Sequence, residues 1–240
     1  MTAASDLAPT GRLRAAVVTA PAPSAFFASM KDGGPKGVTV DLFLALADEL
    51  KLPLDLKLFP NSGEATEATA AGTCDVSFMP QDAERAKKVD FGPPYLIIES
   101  TFLVPAGSQV KSLADANFPG ARAIAIAGTT TGRAARRFLT NGTVEDVRGV
   151  EDMVAMARAG RGDLFALSHD AFVTLLPELP GARALAGGFQ QVGVAIAVPK
   201  GRPAALAVAH DFVERSKRNG LVRRALDAAG YRDLAVAPAA

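Results

Sequence analysis

Three short stretches carry residue types that can do chemistry. Gly128-Thr129-Thr130 precedes a segment with helical spacing, so the N–H groups of both threonines are expected at a helix N-terminus. Free donors and the helix dipole attract an anion there, and the same residues also suit an ordinary N-cap. Ser168-His169-Asp170 sets a hydroxyl, an imidazole and a carboxylate side by side, the groups that general acid–base catalysis draws on. Neighbours on a strand face opposite sides, however, so Ser168 and His169 are not expected in one pocket, and a strand-to-helix turn capped by Asp170 accounts for all three. Arg85 sits in Glu84-Arg85-Ala86-Lys87-Lys88, which by itself reads as an exposed helical turn. Its guanidinium nevertheless offers two parallel donors that match the two acceptors of a carboxylate.

Other chemistries are excluded or lack their residues. Lys and Arg total 26 against 25 Asp and Glu, a net charge of +1, so no overall field holds nucleic acid or an anionic membrane. The basic runs Arg133-Arg136-Arg137 and Arg215-Lys217-Arg218 have no interleaved aromatics on which bases could stack, and read as solvated helix faces. Cys74 is the single cysteine, which rules out an internal disulfide and a cysteine metal cluster. His169 and His210 are the two histidines and lie far apart in sequence, so no metal and no cofactor is expected. Gly128-Thr-Thr-Thr-Gly132 lacks the lysine of a nucleotide-binding loop, and no serine-nucleophile motif is found.

The elements that must position these residues follow from periodicity. Leu13 to Thr19 is a short apolar run ending at Pro21 and Pro23, as a buried strand followed by a loop would be. Asp41 then suits the cap of a helix carrying Leu42, Phe43, Leu46 and Leu50, with Pro53 just beyond its end. Leu54 to Phe59 alternates as a strand, Asn61 and Glu64 have the spacing of a capping box, and Asp75 to Met79 reads as another strand. A second strand–helix series comprises Ala123 to Ala127, a helix over Thr131 to Leu139, a helix over Asp152 to Ala159, and a strand around Phe165. Val192 to Val198 is one more strand, Pro203 opens a helix running to Asn219-Gly220, and Val222 to Ala229 is the last helix. The long run Tyr95 to Val104 lacks a central Gly or Pro and is a candidate to cross between lobes.

The order of motifs resembles solute-binding protein family 3, the type II periplasmic receptors of amino-acid-type ABC importers. The carrying residues are Gly37-Val-Thr-Val-Asp41-Leu, Ala71-Gly-Thr-Cys-Asp75, Glu84-Arg85-Ala-Lys-Lys-Val-Asp90-Phe-Gly-Pro-Pro-Tyr95, Gly128-Thr129-Thr130, Ala159-Gly-Arg-Gly-Asp163 and Gly193-Val-Ala-Ile-Ala-Val-Pro-Lys200. They extend the resemblance from about Leu13 to Tyr231. It implies a two-lobed α/β fold, each lobe a mainly parallel sheet flanked by helices, joined by two hinge strands near Ser100 to Val104 and Gly193 to Val198. Lobe 1 is then discontinuous, residues 1–102 and 197–240, and lobe 2 is the insert 103–196. The implied function is binding, not catalysis: a small organic carboxylate, amino-acid-like or an aromatic or keto acid, taken in the interlobe cleft and delivered to a permease at the inner membrane. A monomer is implied, with no nucleic-acid partner. Met1 to Ala16 hold no apolar run of secretory length, so either the chain is cytoplasmic or Met1 replaces a removed export signal. The resemblance favours the second, and a periplasmic location after export.

By resemblance Arg85 is the carboxylate-binding arginine, and Thr129 and Thr130 grip the same group from the second lobe. The departures concern the rest of the ligand. Ala20 stands where amino-acid receptors of the family place an acidic residue, Pro23 where an aromatic covers the ligand, and Phe78 and Pro80 where hydroxyls line the pocket, with Ser77 retained. Ser168 occupies the place of the aspartate that meets an ammonium, and a neutral hydroxyl does not offset a buried cation. Asp170, two places on, is the candidate substitute. The expected ligand keeps a carboxylate, does not depend on an ammonium, and rests an apolar body against Phe26, Phe27 and Phe78, with at least one of Phe26 and Phe27 in the core. Two other readings share the fold: a cyclohexadienyl-dehydratase-like enzyme, and a ligand-sensing domain that signals to a membrane receptor.

Overall fold

Apolar runs become strands and amphipathic segments become helices throughout residues 3–19 and 27–239, which the computed structural model describes. Two units result. The first comprises residues 3–19, 27–97 and 193–239, and the second residues 98–192.

The first unit holds α1 (Ala3–Leu7), β1 (Leu13–Val18), β2 (Ser29–Lys31), β3 (Gly34–Lys36), α2 (Val38–Leu50), β4 (Leu54–Phe59), α3 (Ser62–Ala70), β5 (Val76–Pro80) and α4 (Ala83–Ala86). Strand β6 (Val89–Val104) carries the chain out of it. The second unit follows with α5 (Leu113–Ala116), β7 (Arg122–Ile126), α6 (Thr130–Phe138), β8 (Thr143–Val147), α7 (Val150–Arg158), β9 (Leu164–Ser168), α8 (His169–Leu175) and β10 (Arg183–Ala184). Strand β11 (Gln190–Pro199) brings the chain back, and α9 (Pro203–Arg218) and α10 (Leu221–Ala228) complete the first unit.

In the first unit β1 lies between β4 and β5, parallel to both, and β11 runs antiparallel to β5 with Ala197 opposite Ser77. A ring cluster fills the core: Phe78 is 1% exposed, with Phe43 5.0 Å and Tyr95 5.2 Å away. Burying a ring or branched chain of this size stabilises by about 1.5–3 kcal/mol. Helix α2 starts at Val38 behind Gly37, whose φ of 149° lies outside the range most residues adopt, so Asp41 falls in the first turn instead of capping it. Asn61 caps α3, its side chain accepting from the Glu64 N–H at 2.9 Å. Pro203 opens α9, and Asp6 of α1 reaches across to accept the Ala205 N–H at 3.0 Å.

The second unit shows why its strands read as near-continuous apolar runs. Strand β7 is parallel to β8 and β9, and β9 is antiparallel to β6, with Ser100 opposite Ser168. Both faces are covered, so alternate residues enter different clusters. Phe102, Ala123, Ala125 and Ala166 pack with Ala135 of α6, while Leu103, Ile124, Phe165 and Leu167 pack with Met153 of α7 and Phe172 of α8.

Candidate functional site

In the first unit the site is built around Arg85. Asp82 caps the short helix α4 by accepting the Arg85 N–H at 2.9 Å, which fixes where the arginine side chain starts. Its guanidinium then donates from Nη1 to the Pro80 carbonyl at 2.6 Å and from Nη2 to Ser62 Oγ at 2.7 Å. Both acceptors are neutral, and Arg85 is 3% exposed. Its neighbours behave differently: Glu84 pairs with Lys87 and Lys88 with Glu67, all exposed. The charged run is therefore a solvated turn with one member, Arg85, turned inward, and a buried cation favours an anionic partner.

Ser77, on β5, is fully buried and its Oγ has no hydrogen-bond partner. Phe78 faces the other side of the strand, and its ring packs the core between Phe43 and Tyr95, not a pocket wall. Phe27 is also buried, its carbonyl accepting from Thr39. Ala20, Pro21, Pro23 and Phe26 lie outside the described residues.

In the second unit the site is the start of α6. Gly128 turns with φ of 69°, and Thr129 caps the helix, Oγ1 accepting from the Gly132 N–H at 3.0 Å and donating to the Ile126 carbonyl at 2.7 Å. The Thr129 hydroxyl is thus committed to the fold. The first-turn N–H groups of Thr130 and Thr131 precede the intrahelical ladder, which is where an anion finds donors. Thr130 is buried, and Thr131 Oγ1 lies 3.0 Å from Ser100 Oγ on β6. A side chain at Gly132 would put its Cβ 3.2 Å from the Ile126 carbonyl, so glycine lets the helix start close against β7.

Ser168, opposite Ser100, takes the N-cap position of α8 without a side-chain cap bond. The N-cap position belongs to Ser168, so Asp170, nearly buried, falls inside the first turn and not at the cap. The strand ends at Ser168 and the helix begins at His169, which removes strand alternation between the two. Arg85 and Ser77 thus belong to the first unit, and Thr129, Thr130, Ser168 and Asp170 to the second. Ser62, Ser100 and Thr131 join these groups without having been singled out from sequence. Ser100 was legible as one of three polar residues, with Glu99 and Thr101, inside the apolar run Leu96 to Phe102, where a hydroxyl needs a partner. Among the described residues no group of three or more His, Cys, Asp or Glu could hold a metal ion.

A two-lobed α/β chain of mainly parallel sheets flanked by helices, crossed once outward and once back, has the type II periplasmic-binding-protein architecture. The family model for bacterial extracellular solute-binding proteins, family 3, matches residues 13–228, and the chain belongs to that family. That makes it an extracytoplasmic solute-binding protein by class, not a member of an enzyme family. Similar solved structures include an ancestral amino acid-binding protein, a precursor of cyclohexadienyl dehydratase, with TM-score 0.80 and 22% identity over 95% of this chain and 99% of that one. A mutant of ArgBP from T. maritima matches with TM-score 0.80 and 20% identity, covering 95% and 98%. An amino acid ABC transporter substrate-binding protein from Streptococcus pneumoniae, bound to L-arginine, matches with TM-score 0.79 and 21% identity, covering 98% and 100%. The glutamine-binding protein of an ABC transporter from Bacillus subtilis is 23% identical over 145 residues, 60% of this chain and 53% of that protein. The match therefore spans about half of that relative's length.

Proposed function

We propose that the chain is the solute receptor of an ABC importer and that its ligand is a small carboxylate. The observation that carries this reading is Arg85: alone in its charged run it turns inward, nearly buried, with its guanidinium aimed by the Pro80 carbonyl and Ser62 Oγ, and such a fork matches the two acceptors of a carboxylate. Within the second unit, the first-turn N–H groups of α6 are donors of the kind that an anion seeks. The named ligands and roles of the relatives support the transport class. Ser168, neutral where an ammonium partner would be required, favours a ligand whose carboxylate matters more than its amine, an aromatic or keto acid. Ser77 Oγ, buried without a partner, is a further polar group for such a ligand. A membrane permease is the protein partner.

A thermal-shift panel tests this with L-glutamine, L-arginine and L-phenylalanine against phenylpyruvate and 3-phenylpropionate, on wild type and Arg85→Ala. At a thousand times Kd a ligand adds about 4 kcal/mol. For a chain of this size that is roughly 8 to 16 °C. The expected result is a shift with the acids lacking an ammonium, clearly reduced in Arg85→Ala. Tight binding of arginine with silence toward the keto acid would overturn the ligand class.

A further inference from the structure

Two residues inside each chain crossing, one carboxylate gathers the strands. The chain passes out of the first unit after Ile97 and returns at Gly193. Glu99 of β6 accepts from Gln191 Nε2 of β11 through Oε1 at 3.0 Å. Its Oε2 lies 3.3 Å from His169 Nε2, and the same nitrogen is 3.1 Å from the Gly187 carbonyl. Gly188 closes the arrangement: a Cβ there would fall 2.2 Å from Glu99 Cγ, so glycine is what admits the side chain. With Glu99 34% and His169 41% exposed, such a pair alone contributes little stability. Its consequence is positional.

Adjacent residues of a strand point to opposite faces, and here the two faces have different work. Ser100 turns to Thr131 in the first turn of α6 and stands opposite Ser168, while Glu99 turns to His169, the residue that follows Ser168. One step along β6 therefore separates the hydroxyls at the candidate site from the carboxylate that ties β6, β11 and α8 together. We propose that Glu99, braced by Gln191 and His169, is a positioning residue for ligand binding: it holds β6 and the start of α8 in the arrangement that presents Ser100, Thr131 and Ser168. This rests on the carboxylate-receptor reading above.

The test uses the full chain in two measurements. Amide hydrogen exchange without ligand is compared for wild type, Glu99→Leu, Gly188→Ala and His169→Gln, and affinity for phenylpyruvate and for L-glutamine is measured by calorimetry on the same proteins. Gly188→Ala leaves Glu99, Gln191 and His169 present and only denies the carboxylate its place. Glu99→Leu and Gly188→Ala are expected to speed exchange at residues 96–101, 168–172 and 189–193 while β7 keeps its protection, and to weaken the bound probe about tenfold. His169→Gln, which retains a side-chain N–H donor, is expected to stay near wild type in both. Unchanged exchange in those segments, or a loss spread evenly over the unit, would overturn the positioning role. If neither probe binds wild type, the ligand class proposed above fails by itself, and the exchange pattern then decides the brace independently.

Discussion

Ser62 Oγ accepts a 2.7 Å hydrogen bond from Arg85 Nη2, which joins the first residue of α3 to the buried guanidinium five residues beyond β5. The hydroxyl thus aims one edge of the fork and leaves its setting dependent on α3. Ser62→Ala is expected to weaken phenylpyruvate binding about fivefold, the size of one modest hydrogen bond, and Arg85→Ala roughly 10- to 150-fold, as for a bond to a charged group. Calorimetric titration of both variants checks the order. Equal losses would mean that Ser62 does more than orient.

Asp75 is fully buried and is gripped by Arg14 through Nε at 2.9 Å, Nη2 at 2.6 Å and the backbone N–H at 3.0 Å. Arg202 Nη1 stands 3.6 Å away. The hydrogen bonds to Asp75 hold the Arg14 guanidinium above its ordinary pKa. Removing the carboxylate leaves Arg14 and Arg202, both partly exposed, without their counter-charge and its hydrogen bonds, so Asp75→Ala should cost about 1.5–3 kcal/mol. That corresponds to a fall in melting temperature of roughly 3 to 12 °C. A scanning-calorimetry loss below a few degrees would contradict it.

Acid should expose a different pair. Burial works to raise the Asp163 carboxyl, and the side-chain and backbone N–H donors of Arg122 outweigh it, leaving the group below its ordinary value. A depressed folded-state pKa adds stability above the unfolded value of about 4, and that stability disappears as pH falls through the folded value. Wild type should therefore exceed Arg122→Ala in urea midpoint at pH 6, and the gap should narrow at pH 3. A gap independent of pH would show that Arg122 acts through packing.

Gly142 lies where a Cβ would come 2.5 Å from the Ala121 carbonyl, which also accepts the Thr143 N–H at the start of β8. The nearest atoms all belong to Ala121, its backbone and Cβ, so nothing flexible can yield. Gly142→Ala should destabilise by about 1–3 kcal/mol. Gly34→Ala, with nothing within 4 Å of the added carbon, should stay within about 0.5 kcal/mol. Urea melts of the two variants compare them directly.

Legibility from sequence tracked apolar period and cap chemistry. The Asn61 cap, Pro203 at the head of α9 and the apolar strands β5, β9 and β11 were all readable, because each depends on local residues. Strand β8, Thr-Val-Glu-Asp-Val, was missed: it is an edge strand with mostly exposed side chains, so burial wrote no apolar pattern into it. The hairpin β2–β3 has three-residue strands, too short for a period. Phe78 was read toward a ligand because it occupies a pocket position by resemblance, yet the aromatic packing of Phe43 and Tyr95 claims its ring. The inward turn of Arg85 could not be read from its run, since nothing local separates it from Lys87 and Lys88; Ser62 and Pro80, which hold it, come from other elements.

Cys74 is the single cysteine, fully buried, and burial pushes its thiol above the ordinary pKa. A thiol so shielded is a poor nucleophile at neutral pH. Maleimide dyes will pass it by, and a cysteine introduced at an exposed position such as Gln109 will take the label alone, without first deleting a native thiol. The wild-type scaffold is thereby ready for site-specific fluorescence, in which a solute too small to see reports its own capture as a change in colour or brightness.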